Sequence, residues 1–339
     1  MLSVICHIYN EKKYISICID SILEQDDPKD CLEVIFVDGM SQDGTREIIG
    51  QYSKKYPNIS LIDNPKRIVP IAMNMGINAS KGDIIIRLDA HAKYPSNYFR
   101  VLTKALIDLH ADNVGVVCRT EVLNKTQKSL AIKEVLSNKF GVGNSTFRTG
   151  ISKIQEVDTV PFGCWKRETF LKYGQFDTRL VRNQDIELNK RIKRGGGHIF
   201  IIPDTYCTYM AREDFMALFK NNFNNGKWNI LTVYYTKQFN SLSFRHFIPL
   251  LFILSIFLPT LGVLIYPFLG ILALISIVCY ILLIGVISFK TSYVKKLNFF
   301  YLLMSFMTLH ISYGLGSLFG IKTVCINKIT NKHDEDYIA

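Results

Sequence analysis

From Phe247 to Phe289 the chain runs for 43 residues without an Asp, Glu, Lys or Arg, and from Leu297 to Ile321 for another 25. A hydrocarbon core takes roughly 20 apolar residues per helix. The first run is long enough for two such helices and the second for one, which excludes a plain water-soluble globule. Pro259 and Pro267 fall near the middle of the first run, and the uncharged Leu264–Phe268 is read as its tight turn. Spans are expected over 247–265, 267–289 and 297–321, the last interrupted by His310 and by glycines.

The loop Lys290–Lys296 carries three lysines, which places it on the cytoplasmic side by the positive-inside rule. The polar tail, 322–339, ends outside if 297–321 crosses and inside if that segment is re-entrant. Leu2–Ile8 is too short for a signal peptide and no basic region precedes it. The amino-terminal part is therefore expected in the cytoplasm, attached to the cell membrane by a multi-pass anchor. A net charge of +11 over 339 residues invites a nucleic-acid reading. The basic residues are scattered, however, with no finger or ribonucleoprotein motif. With such apolar runs a basic excess suits anionic lipid head groups or phosphorylated substrates, and no nucleic-acid partner is expected. The eight cysteines form no CxxC pair and sit mostly in apolar runs, as small hydrophobes in a reducing compartment do.

Residues 1–212 alternate short apolar runs with helical patterns. Strands are expected at Leu2–Ile8, Glu33–Val37, Ile59–Ile62, Asp83–Leu88 and Val114–Cys118. Helices are expected at Lys13–Leu23, Thr45–Tyr56, Ile68–Ser80 and Gln184–Arg194. Such alternation implies βαβ units and a mostly parallel sheet, an α/β domain whose ligands bind beyond the carboxyl ends of the strands. Residues 213–246 are amphipathic and aromatic, with Phe215, Phe219, Phe223 and Trp228 beside Lys220 and Lys227. This segment reads as interfacial, or alternatively as an ordinary packing helix at the domain edge.

Three polar clusters follow three of the strands. They are Tyr9-Asn10-Glu11, Asp38–Thr45 with Asp38 and Asp43, and Asp89-Ala90-His91. Each alone is compatible with turn chemistry; three at one sheet edge suggest a shared pocket. Asp89 and His91, two apart, offer a carboxylate and an imidazole to one cation, a donor pair that suits manganese or another borderline divalent metal. Asp185 and Glu187 fall in the first turn of the helix that Asn183 can cap, at the positive end of its dipole. Glu187 is read as balancing Lys190 and Arg191 along the helix surface.

The ordered set Val4–Glu11, Phe36–Thr45, Asn74–Gly76, Arg87–Pro95, Val160–Trp165 and Arg182–Arg191 resembles the inverting glycosyltransferases of family 2, above all the succinoglycan-biosynthesis and capsular-polysaccharide branch. The resemblance implies a catalytic domain of GT-A fold over residues 1–212. It implies a uridine pocket lined by Tyr9, Asn10, Glu11 and Asp38, with Arg67 near the nucleotide. Asp89 and His91 match the metal-binding DxD element that holds the diphosphate, with Mn²⁺ or Mg²⁺ as cofactor. Asp185 matches the base that takes the acceptor's proton, and Phe162 and Gly163 fall on the acceptor side. A UDP-sugar donor, a polyprenyl-diphosphate-linked saccharide acceptor and membrane lipid are the implied partners, in hexosyl transfer for exopolysaccharide or capsule synthesis.

The chain departs from the family pattern in three places. His7 replaces a common Pro, with little consequence expected. His91 replaces the second Asp of DxD. Asn225-Gly226-Lys227-Trp228 stands where processive polymerases carry QxxRW, which argues against a polymerase. Two rival readings are a polyprenyl-phosphate glycosyltransferase and a non-catalytic membrane protein that binds nucleotide sugars.

Overall fold

The computed structural model describes residues 1–26, 31–239 and 242–330. The chain divides into two compact units. Of the described residues, one comprises Met1–Arg119 and Thr146–Met210; the other comprises Thr120–Ser145 and those from 211 to 330.

The first unit is built on strands β1 (Leu2–Ile8), β2 (Leu32–Asp38), β3 (Ile59–Asp63), β4 (Ile84–Asp89), β5 (Ala92–Lys93), β6 (Asn113–Glu121, whose end passes into the second unit), β7 (Gln155–Glu156), β8 (Cys164–Lys166) and β9 (Ile199–Met210). Its helices are α1 (Ile15–Leu23), α2 (Thr45–Lys55), α3 (Val69–Ala79) and α4 (Tyr98–Asp108) and, beyond an inserted pair α5 (Gln127–Val135) and α6 (Lys139–Val142), α7 (Thr146–Thr149), α8 (Arg167–Tyr173) and α9 (Gln184–Arg194). Among the described residues the strands form one sheet in the order β3-β2-β1-β4-β8-β6-β9-β5, with β7 beside β9. β1 is parallel to β2 and β4, and β2 to β3. β8 runs antiparallel to β4 and β6, and β9 antiparallel to β5 and β7.

The central strands are near-continuous apolar runs because both their faces are covered. Alternate residues feed two cores. Val4, Cys6, Phe36, Ile86 and Leu88 join Ile15 and Ile19 of α1 and Leu102 of α4 on one face. Ile5, Ile35, Val37 and Ile85 meet Met73 and Ile77 of α3 and Leu188 and Ile192 of α9 on the other. α3 rests so closely on the sheet that a Cβ at Gly76 would come within 2.4 Å of Ile5. The register pairs Ile8 with Asp38 and His7 with Asp89, so the three central strands end side by side. The three polar clusters follow at that edge. Five of the cysteines, Cys6, Cys18, Cys118, Cys164 and Cys207, are buried as free thiols, while Cys31, Cys279 and Cys325 are exposed.

In the second unit α5 and α6 join α10 (Phe215–Thr236), α11 (Ile248–Gly262), α12 (Leu269–Lys295) and α13 (Phe299–Thr330). Among the described residues, three helices there are long and apolar enough to cross a membrane, over Phe244–Gly262, Leu269–Lys295 and Phe299–Thr330. The turn between the first two falls at 263–268 and contains Pro267, whereas Pro259 lies inside α11. Ala131 and Val135 of α5 pack with Ile284 and Ile287 of α12 and Leu302 and Phe306 of α13. α10 and α13 run in the same direction, with Phe215 beside Tyr301 and Phe223 beside Phe319. Their backbones nearly touch. A Cβ on Gly226 would lie 1.9 Å from the Tyr313 carbonyl, and one on Gly316 would lie 1.9 Å from that of Phe223. Small residues permit such approach between apolar helices. The glycines expected to weaken the third apolar segment are thus its packing points. The helix also continues beyond Ile321 to Thr330, so the first part of the expected polar tail is helical; 331–339 lie outside the described residues.

Candidate active site

The loop after β1 is stitched to the loop after β2. The Asn10 N–H donates to Ser41 Oγ at 2.8 Å, and the Asn10 side-chain oxygen accepts from the Gln42 N–H at 3.0 Å. The Glu11 N–H donates to Thr45 Oγ1 at 2.9 Å, and the Lys12 N–H to Asp43 Oδ2 at 3.0 Å. Asn10 takes a left-handed backbone, φ 54°, which Asn tolerates better than most residues. Asp43 also accepts from the backbone and hydroxyl of Thr45. Burial tends to raise its carboxyl, but these hydrogen bonds win and hold it below the ordinary range.

Asp38 is fully buried. Its Oδ2 accepts from the Ser41 N–H at 2.9 Å and from Arg46 Nη1 at 2.6 Å, and its Oδ1 accepts from the Ser41 hydroxyl. Arg46 reaches on to Asp63 at 2.7 Å. These contacts of Asp38 shape the loop. Arg67, at φ 59°, sets its guanidinium 5.7 Å from the Tyr9 ring centre, so the loosest of the nucleotide-side matches does lie beside Tyr9.

The turn after β4 is pinned by one hydroxyl. Tyr94 Oη accepts from the Asp89 N–H at 2.9 Å and donates to the Asp89 carbonyl at 3.1 Å. The His91 carbonyl accepts from the Met210 N–H of β9 at 3.0 Å. His91 Nδ1 stands 3.1 Å from Glu11 Oε1, which joins the first cluster to the third. The Asp89 side chain meets two further groups through a single oxygen. Arg87 Nη2 lies 3.3 Å and His7 Nδ1 3.6 Å from its Oδ1. Burial pushes the His7 imidazole down to about 4, so at neutral pH it is uncharged and its approach to Asp89 is no ion pair. Burial alone would raise the Asp89 carboxyl; the Arg87 guanidinium, with His7 and His91, outweighs it and holds Asp89 below the usual carboxylate value. His7, expected to matter little, stands opposite Asp89 in the strand register.

Asp185 lies in the first turn of α9, and its Oδ1 accepts from the Ile186 N–H at 2.9 Å. Leu188 and Ile192 of the same helix pack on the sheet face that also carries Ile85, hence Arg87 and Asp89 by the strand's period of two. Asn183 takes the N-cap position with φ 62° but makes no side-chain cap bond there. Glu187 is buried, not on the helix surface. Arg191 grips both its oxygens, at 3.1 and 2.7 Å, while Lys190 pairs with Asp158 instead. Phe162 is buried, at φ 61°, and Gly163, at φ 99°, offers its carbonyl to the Arg87 N–H at 3.1 Å. A Cβ at Gly163 would meet the Trp165 ring at 2.4 Å, so the close approach requires glycine.

Asp89 and His91 offer a carboxylate and an imidazole, donors that suit a borderline divalent ion, while Glu11 is engaged with His91. Among the described residues no group of three or more His, Cys, Asp or Glu side chains is placed to hold an ion unaided. Such a site fits an ion that completes its shell with substrate oxygens. Sequence reading missed Arg46, Arg87 and Tyr94 and noted His7 only as a departure from the family pattern. For Arg87 a signal existed: a charge inside the apolar strand Ile84–Asp89 asks for a buried partner.

A family model described as "Glycosyl transferase family 2" matches residues 3–172, half of the chain. The chain belongs to glycosyl transferase family 2. Among curated relatives of this family 2 chain, the succinoglycan biosynthesis protein ExoA of Rhizobium meliloti is 30% identical over 220 residues, 64% of this chain and 66% of that protein. The dolichyl N-acetyl-alpha-D-glucosaminyl phosphate 3-beta-D-2,3-diacetamido-2,3-dideoxy-beta-D-glucuronosyltransferase of Methanococcus voltae is 27% identical, covering 78% of this chain and 84% of that one. The mannosyltransferase PcManGT of Pyrobaculum calidifontis, solved with GDP-Man and Mn²⁺, aligns with a TM-score of 0.54 at 17% identity, over 98% of this chain and 88% of its own. At that identity the likeness is one of fold, and the family 2 unit has the expected GT-A architecture.

Proposed function

We propose that this family 2 glycosyltransferase moves a sugar from a nucleoside-diphosphate donor to a lipid-linked saccharide at a membrane, with inversion, in polysaccharide assembly. The observation that carries the reading is the joining of three strand-end clusters, through Asn10 with Ser41 and Gln42 and through Glu11 with His91. Tyr9, Asn10, Glu11, Asp38 and Arg67 form the nucleotide side, with UDP the expected nucleotide. Asp89 and His91 would hold Mn²⁺ or Mg²⁺, which when bound supplies Lewis-acid stabilisation of the departing diphosphate. Asp185 takes the proton of the acceptor hydroxyl as it attacks the anomeric carbon opposite the leaving group, which gives the inverted linkage. Phe162 and Gly163 shape the acceptor side. A lipid-linked acceptor accounts for the apolar helices, and the dolichyl-linked substrate in the name of one relative supports it. The succinoglycan relative supports a place in exopolysaccharide synthesis. The three apolar helices anchor the chain as a multi-pass protein, with the catalytic unit in the cytoplasm.

The test is a donor screen with full-length protein in detergent, using UDP- and GDP-sugars and polyprenyl-diphosphate-linked and polyprenyl-phosphate acceptors. Nucleotide release with Mn²⁺, its loss in excess chelator and an elongated lipid-linked glycan are expected. An acid-labile sugar-phosphate lipid would instead establish glycosylation of the lipid phosphate itself. Nucleotide binding with no turnover on any acceptor would sink the enzymatic reading.

A further inference from the structure

Arg87 is buried in the middle of the sheet. Its Nη2 contacts Asp89 Oδ1 at 3.3 Å, and its Nε and Nη1 are buried without a hydrogen-bond partner among the described residues. A buried guanidinium so poorly satisfied is costly to fold around. In return its positive charge sits against one oxygen of the carboxylate that would receive the metal. Asp89 and Arg87 together carry no net charge. From that side a divalent cation meets a neutralised carboxylate and an adjacent cation, and only two side chains, Asp89 and His91, are proposed as its ligands.

We propose that Arg87 is a positioning residue that makes metal binding conditional on the nucleotide: it suppresses capture of a free divalent cation and leaves the diphosphate to supply the missing negative charge. Arg87 fixes the orientation of Asp89 through Oδ1, while Oδ2 has no donor among the described residues. The ion and the nucleotide then bind cooperatively, each raising the affinity of the other by the same factor. The inference rests on the metal site of the proposed function.

The test measures Mn²⁺ binding to full-length protein in detergent by electron paramagnetic resonance, with and without UDP or GDP. In the wild type Mn²⁺ alone should bind weakly, and the matching nucleotide should tighten it at least tenfold. Arg87→Met should tighten nucleotide-free Mn²⁺ binding on the order of tenfold, a modest figure for removing a unit charge beside a divalent ion even under water-like screening. Arg87→Lys, which keeps the charge, should resemble the wild type. Because Arg87→Met leaves Asp89 without its partner, thermal melting supplies a second readout. Mn²⁺ alone should raise the melting temperature of Arg87→Met but not of the wild type, and Asp89→Asn in the Arg87→Met background should abolish that rise. Cooperative Mn²⁺ and nucleotide binding in the wild type with unchanged or weaker Mn²⁺ binding in Arg87→Met would overturn the role of Arg87 alone. No Mn²⁺ binding to the wild type with any nucleotide would overturn the metal site and this inference together.

Discussion

Inverting transfer asks one side chain to take the acceptor's proton as the new bond forms, and Asp185 holds that place in the proposed mechanism. Asp185→Asn keeps the shape and removes the base. A positioned general base contributes on the order of 10²–10⁴-fold, so transfer should fall by at least the lower figure. Donor affinity, measured by calorimetry, should stay near wild type. Loss of donor binding in step with rate would move Asp185 out of the role. Glu187, two residues on, is a different case once its burial is known. Glu187→Gln strips the charge from the bidentate contact with Arg191 and should cost about 1–3 kcal/mol of stability, seen as a lower melting temperature. Turnover per folded molecule should be kept. The sequence spacing does show that Glu187 and Arg191 can meet, since residues four apart share a helix face. It cannot show that α9 turns that face inward, because Arg191 also binds the carbonyls of Tyr173 and Gln175 from outside the helix. The placing of His7 against Asp89 is hidden for a related reason: it comes from strand register, which appears only when β1 and β4 are side by side.

Several elements are readable from the chain within a residue or two, whereas β9 and α4 were not expected and β6 runs three residues beyond its expected end. Leu2–Ile8 and Gln184–Arg194 match their expected bounds, because a buried parallel strand is a plain apolar run and a glycine ends the helix. The two-residue strands β5 and β7 leave no such trace; they exist only because β9 passes beside them. The insertion carrying α5 and α6 was equally silent, since much of its apolar surface is matched to α12 and α13 far along the chain. The main surprise at this scale is α10. Read alone, it is an aromatic, lysine-bearing helix suited to an interface; in the fold it is clamped along α13 by Gly226, Gly316 and Gly320. Gly316→Leu should force the two helices apart and lower the melting temperature in detergent, an overpacking cost of roughly 1–3 kcal/mol or more. Gly285→Leu on α12, where an added side chain meets open space, should be near neutral. Equal effects of the two substitutions would show that the glycine contact does not hold the pair.

For the whole chain the decisive property is sidedness. The proposed topology puts the basic segment Lys290–Lys296, helical as far as Lys295, in the cytoplasm and the turn near Tyr266 on the opposite face of the membrane. A cysteine placed by Tyr266→Cys should react with an impermeant maleimide from outside intact cells, and one placed by Ser292→Cys should react only after permeabilisation. Reaction of both from one side would refute the two-span hairpin. The native thiols make this experiment easier than a count of eight suggests. Only Cys31, Cys279 and Cys325 are exposed, so three replacements should give a quiet background. The five sealed thiols in and beside the sheet then become a built-in timer. Their slow alkylation would report how often the catalytic unit opens, with no cysteine introduced and no substrate required.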